Sequence, residues 1–214
     1  TDHGNLFSAL DFYLKAVKSG IKPIIGCEIY VAPGSRFEKT APAGQNDEAS
    51  YHLILLARNK RGYKNLVKLV TSAYLEGFYY KPRIDKELLK AHSEGLIGLS
   101  ACLGGEIPSL LIQNRYEDAK KTALEYERIF GKDHFYLELQ DNGIPEQEIV
   151  NRELLKLTKD TGIAVVATND CHYLDMKDHK SHDALLCIQT GKTVSEPKRL
   201  RFSSETFYMK TPDE

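Results

Sequence analysis

The sequence of 214 residues contains no apolar run near the 18 or so residues that a membrane-spanning helix needs. No secretory leader is visible at its start. Its four cysteines, Cys27, Cys102, Cys171 and Cys187, form no C-x-x-C pair, which excludes a zinc ribbon and a thioredoxin-type redox motif. Neither G-x-G-x-x-G nor G-x-x-x-x-G-K-[ST] occurs, so the common glycine-rich nucleotide loops are excluded. A basic excess is also missing. Lysine and arginine total 29 against 30 acidic residues, a formal net charge of −1. A free-standing nucleic-acid binder usually shows a positive balance, so any DNA contact is local or comes from other parts of a larger protein. There is no internal repeat and no low-complexity segment. Seven histidines and four thiols without a leader point to a reduced, cytoplasmic setting, with thiols free to bind metal.

What is present is ordinary globular composition, 42% hydrophobic and 28% charged, enough for one large domain or two small ones. Strand-like and helix-like stretches alternate. The stripe Leu6, Leu10, Tyr13, Leu14, Val17 predicts a helix that stops at Gly20. Residues 23–32 and the run His52 to Ala57 read as buried strands, joined by a polar loop over 33–50. A helix over 63–75, a strand over 96–101, a helix over 116–130 closed by Gly131 and a strand over 135–139 follow. A helix over 146–161 stopped by Gly162 and a strand over 164–168 complete the pattern. The alternation predicts an α/β architecture; an open doubly wound sheet and a closed barrel both fit it. The sequence opens on Thr1 rather than Met, as if inside a strand, so its natural start is expected upstream.

In α/β folds functional groups collect at the carboxyl ends of strands. Cys102, Asp170 and His172 fall just after predicted strands, and His3 does so if a strand precedes it. Glu28 lies within an apolar strand, where a carboxylate needs a partner. His52 opens the next strand, and a wide hairpin over 34–50 would bring it near Glu28. Asp170 and His172, two apart, share one side of an extended chain. Carboxylate, imidazole and thiol together suit a divalent metal. Asp2, adjacent to His3, is the expected group to fix its imidazole tautomer. Asn5 reads as a helix N-cap. Taken singly each has a structural reading; together they form six metal-capable side chains at strand ends. His92, His134, His179 and His182 read as surface residues.

At these same residues the sequence resembles the PHP (polymerase and histidinol phosphatase) family, and within it the branch found in alpha subunits of bacterial DNA polymerase III. The resemblance is carried by Thr1-Asp2-His3-Gly4-Asn5, by the run Ile21 to Glu28 (IKPIIGCE), by Tyr51-His52-Leu53 with Gly62-Tyr63-Lys64-Asn65-Leu66, and by the long string Gly77 to Asp85 (GFYYKPRID). Ser100 to Glu106 (SACLGGE) and Ala167 to Tyr173 (ATNDCHY) complete the ordered series. It implies a distorted (β/α)7 TIM-like barrel lacking its first strand here, a PHP domain over residues 1–195, and a lead-in to further polymerase domains over 196–214. It implies metal ligands at His3, Glu28, His52, Cys102, Asp170 and His172, for zinc or manganese, with up to three ions in a complete domain. A family His-x-His pair and an Asp would precede Thr1, so the chain alone is expected to show little nuclease activity. Lys81 and Arg83 would clamp phosphate; a loop-bracing role is the alternative. The implied chemistry is metal-dependent phosphoester cleavage, read in the family as 3′-to-5′ exonuclease proofreading within a DNA-synthesising enzyme. Its partners would be DNA and other replicase subunits. The alternatives are a scaffold that docks a separate proofreading exonuclease, and a stand-alone phosphatase, which GFYYKPRID disfavours. The six side chains are expected to converge on one pocket.

Overall fold

The computed structural model describes residues 1–39 and 50–214, so part of the expected loop over 33–50 lies outside the described residues. The first half of the chain forms β1 (Asp2–His3), α1 (Ala9–Lys18), β2 (Gly26–Val31), β3 (Tyr51–Ala57), α2 (Lys60–Leu75), β4 (Arg83–Ile84) and α3 (Lys86–Ala91). The second half forms β5 (Leu96–Leu99), α4 (Glu106–Ile112), α5 (Tyr116–Phe130), β6 (Phe135–Gln140), α6 (Pro145–Thr161), β7 (Val165–Thr168) and α7 (His179–Thr190).

The seven strands form one sheet ordered β1-β2-β3-β5-β6-β7, with β4 beside β1 on the same strand, β2. β1 pairs with Cys27 and Glu28, and β4 with Tyr30 and Val31. Every pairing is parallel except the two made by β3, which runs against both β2 and β5. This is the mixed α/β pattern of a TIM-like barrel, with one departure from strict β-α alternation. β3 returns antiparallel beside β2, its neighbour in sequence order. Among the described residues β1, β4 and β7 each pair on one side only, which leaves the ring unclosed.

Local sequence explains where the elements stop. Asn59 accepts a hydrogen bond from Gly62 N and caps α2; Asp85 accepts from Leu88 N and caps α3. Pro145 begins α6, and Gly162 ends it in the left-handed conformation. All six residues of β2 are buried, and Leu53 and Leu55 of β3 continue that layer. Leu66, Leu69 and Ala73 of α2 cover it, and Tyr126 of α5 and Leu154 and Leu157 of α6 join the same core. The expected stripe of α1 is amphipathic but uncovered: Leu10, Tyr13, Leu14 and Val17 are exposed and only Ala16 is buried. Asn5 does not cap α1. Its side chain bonds Phe7 N and the His3 carbonyl, closing a turn, while Ser8 stands at the cap.

Close approach between α2 and the loop before β5 depends on one residue. A Cβ at Gly62 would fall 1.8 Å from the Gly95 carbonyl oxygen. Gly62→Ala is therefore expected to cost about 3 kcal/mol of stability in urea denaturation. Gly162→Ala, where no atom lies within 4 Å but φ is +77°, should cost about 1 kcal/mol. Equal costs would contradict this account of the packing.

Candidate metal centre

Strand direction assembles the centre. β1, β2, β5, β6 and β7 point one way, so their carboxyl ends lie at one rim. β3 points the other way, so its first residues lie at that same rim. His3 ends β1, Glu28 sits beside it in register on β2, and His52 opens β3. Cys102 follows β5, and Asp170 and His172 follow β7. All six line one cavity of about 380 Å³. The six side chains converge on one pocket, as expected.

Glu28 is the hub. Its Oε1 lies 3.0 Å from His3 Nδ1 and 3.2 Å from His52 Nδ1. Cys102 Sγ lies 3.5 Å from the same His52 nitrogen. The donor atoms of Glu28, His52 and Cys102 all fall within 4.8 Å of one another, a spacing that one ion with bonds of about 2.0–2.3 Å can bridge. The rings of His3 and His172 are 5.6 Å apart, which joins the two edges of the sheet. A carboxylate and a carbonyl can only accept, so the hydrogen-bonded Nδ1 of His3 and of His172 each carry the proton. In its neutral form each ring then keeps a lone pair on Nε2, the usual arrangement of a metal-binding histidine.

The Cys102 loop is built for this approach. Ala101 has φ +64°, Gly105 N bonds the Cys102 carbonyl, and His52 N bonds the Gly104 carbonyl. A side chain on Gly104 would press on the His52 ring, with its Cβ 3.0 Å from Nδ1. Asp170 also has a left-handed backbone, φ +49°. That corrects the expected extended geometry: Asp170 and His172 reach the cavity through a turn, with His172 Nδ1 bonded to the Asp170 carbonyl at 2.8 Å.

Burial and charge pull the groups in different directions. Burial raises the Asp170 carboxyl, and Glu28 nearby adds to the rise. Burial pushes the Cys102 thiol up to about 12, helped by Asp170 and Glu28. Glu28 is buried too, yet the His3 hydrogen bond and the His52 charge bring it below its ordinary value. His3 is raised, chiefly by that hydrogen bond, and burial lowers His52. Two carboxylates and a thiol crowded in this way favour a bound cation.

Several expectations need correction. Asp2 does not hold the His3 ring; its carboxylate accepts from Ser8 N and Ser8 Oγ and anchors the start of α1. Arg83 is buried, and it donates to the carbonyls of Gly77 and Glu38, so it braces a loop and does not face a phosphate. Lys81 sits 4.8 Å over the Tyr30 ring at the cavity edge. His182 is not a surface residue: its ring packs 5.6 Å from His172 and 4.9 Å from Phe202. His179 is half-buried, 3.2 Å from Glu205, and His92 and His134 are also partly covered.

Two features escaped the sequence reading. The segment 196–214 packs over the site: Phe207 O accepts from His172 N, and Arg201, Phe202, Ser203 and Phe207 line the cavity. No periodicity marks that segment. The second is Glu138 on β6, buried behind the centre. Thr168 Oγ1 and Gln140 Nε2 donate to its Oε1, while Oε2 has no partner among the described residues. Burial raises its pKa. The signal was available, since Glu138 is a carboxylate between Leu137 and Leu139, as conspicuous as Glu28.

An α/β domain with a mixed nitrogen, oxygen and sulfur donor set at the carboxyl rim of its sheet is the class this geometry defines. The family model described as PHP domain matches residues 1–142, and the chain belongs to the PHP family. Over its whole length the chain is 52% identical to the DNA polymerase III subunit alpha of Borreliella burgdorferi, 50% identical to that of Thermus aquaticus and 43% identical to that of Helicobacter pylori. It spans only 18%, 17% and 18% of those proteins. Metal dependence is a property of PHP domains, and the cluster Glu28, His52 and Cys102 is a possible metal-binding triad here.

The His3–Glu28 pair carries a pH signature. Glu28 is lowered, so its contribution is present above the ordinary 4.5 and lost as pH falls through the lowered value. His3 is raised, so its contribution is complete below 6.5 and lost as pH rises through the raised value. Both groups are charged between pH 4.5 and 6.5. With a chelator present, Glu28→Gln should cost about 1 kcal/mol in that window, allowing for solvent screening at the half-exposed His3 ring. The difference should shrink at alkaline pH. A cost that grows with rising pH would contradict the pairing.

Proposed function

We propose that this chain is the metal-dependent phosphoesterase module of a replicative DNA polymerase alpha subunit, removing nucleotides from the 3′ end of a DNA strand. The observation that carries the reading is the meeting, in one cavity, of His3, Glu28, His52, Cys102, Asp170 and His172 from opposite ends of the sequence. These six would hold divalent ions, zinc or manganese, since imidazole, carboxylate and thiolate together suit borderline metals. A bound divalent ion supplies polarisation of the phosphate and a water ionised near neutral pH.

The chain's own residues do the rest. Glu28 fixes the His3 ring and keeps its Nδ1 protonated, and the Asp170 carbonyl does the same for His172. Lys81, beside Tyr30, is placed to attract a phosphate approaching the rim. We assign the module to residues 1–195, with 196–214 leading into further domains. DNA and other replicase subunits, a proofreading exonuclease among them, are the proposed partners, and the cytoplasm the compartment. No described helix is long and apolar enough to cross a membrane.

The test uses the full-length protein. Metal content by mass spectrometry and degradation of a 3′-labelled single strand are measured for the wild type, His172→Ala and Asp170→Asn. Both variants should lose metal and lower the exonuclease rate by about 100-fold. DNA synthesis should persist as the folding control. Retained metal and undiminished degradation in both variants would leave the domain as a scaffold.

A further inference from the structure

The cavity at the centre is lined beyond the six candidate ligands by residues it shares with a neighbouring groove. A second groove, of about 700 Å³, shares Arg201, Phe202 and Ser203 with it. That volume falls in the range of small-molecule sites, roughly 300–1,000 Å³. Resting on the phosphoesterase reading, we propose that Arg201 and Phe202 form the subsite for the terminal nucleotide of the strand. Arg201 takes a phosphate oxygen, and Phe202 with His182 stacks the base.

Charge in the groove supports this occupant. Asp183 is committed to Arg199, with Nη2 to Oδ2 at 2.7 Å, and Glu205 faces His179 Nε2 at 3.2 Å. Arg201 is exposed and makes no hydrogen bond among the described residues. Lys180, also on the groove, is exposed. Arg201 also acts on Asp183 through its charge, and Lys180, Arg199 and Arg201 against Asp183 and Glu205 leave the groove with a positive excess, beside a centre that carries carboxylates. A guanidinium fork matches a phosphate, and it would hold the anion next to the metal ligands without competing for the metal.

The aromatic groups supply the other half. Phe202 packs 4.7 Å from His172, 4.9 Å from His182 and 4.6 Å from Phe207, ring centre to ring centre. Tyr173 lies 5.4 Å from His182 on the same wall. A base stacked on this wall sits one ring away from His172, next to the reacting phosphate. Stacking accepts any base, which suits an enzyme that trims ends of every sequence.

Two esters with the same leaving group separate the two residues in the full-length protein. Thymidine 5′-(p-nitrophenyl phosphate) carries a nucleoside, and bis(p-nitrophenyl) phosphate does not. Phe202→Leu should lower the ratio of their kcat/KM values about tenfold, through KM for the nucleoside ester. Arg201→Ala should lower kcat/KM for both about tenfold, with partial rescue by Arg201→Lys. A ratio that holds in Phe202→Leu, or an Arg201→Ala variant equal to wild type, would overturn the subsite. If the wild type cleaves neither ester, the phosphoesterase reading fails, and photocrosslinking decides the subsite by itself. A single strand ending in 5-iodouracil should crosslink to the peptide containing Phe202, and Arg201→Ala should weaken that crosslink. Crosslinks confined to other peptides would show that the groove serves another occupant, such as a protein segment.

Discussion

A carboxylate in the middle of an apolar strand is the constraint on which the rest of the site depends. Glu28 is 5% exposed, with Cys27 and Ile29 buried on either side. Such a group cannot stay ionised without partners, and the sheet supplies them on both flanks. β1 brings His3 alongside in register, and β3, antiparallel on the other flank, brings His52. The carboxylate thereby ties three strands at the rim where the remaining donors arrive. Replacing it by an apolar residue would relieve burial but leave two imidazoles without the acceptor that orients them.

The reversed strand follows from the same requirement. In a strictly parallel sheet the first residue of a strand lies at the rim opposite the loops that carry function. Running β3 backwards puts His52 at the working rim. It also lets the Gly104 carbonyl bind His52 N, so the Cys102 loop closes against the imidazole. Left-handed backbone at Ala101 and Asp170 is the conformational cost of turning two more donors inward. Strain of this kind next to candidate ligands is where a fold built for packing alone would not place it.

The alternation of strands and helices was legible because hydrophobic period survives in sequence, and glycines and prolines mark the ends. The meeting of the six candidate side chains was legible because polar groups stood where apolar ones belonged, or directly after predicted strands. What failed was conformation that composition does not encode. The sequence predicts extended chain at Asp170 and His172, while the backbone turns at Asp170. Asp2 stands beside His3 in sequence but is claimed by Ser8, and Arg83 takes the loop-bracing role that stood as its alternative, bonded to Gly77 and Glu38. Residues 196–214 carry no periodic signal, so their folding across the site, through Phe207 and Tyr173, was invisible. Glu138 shows the same anomaly as Glu28, a buried carboxylate between apolar neighbours.

The central claim is that these side chains act as one metal centre, and sulfur makes it directly measurable. Among the described residues Cys102 is the one thiol lining the cavity. X-ray absorption at the zinc edge of the zinc-loaded full-length protein should show a sulfur neighbour at about 2.3 Å. That shell should disappear in Cys102→Ser while nitrogen and oxygen neighbours remain. Zinc bound only by nitrogen and oxygen in the wild type, or a spectrum insensitive to Cys102→Ser, would contradict the account.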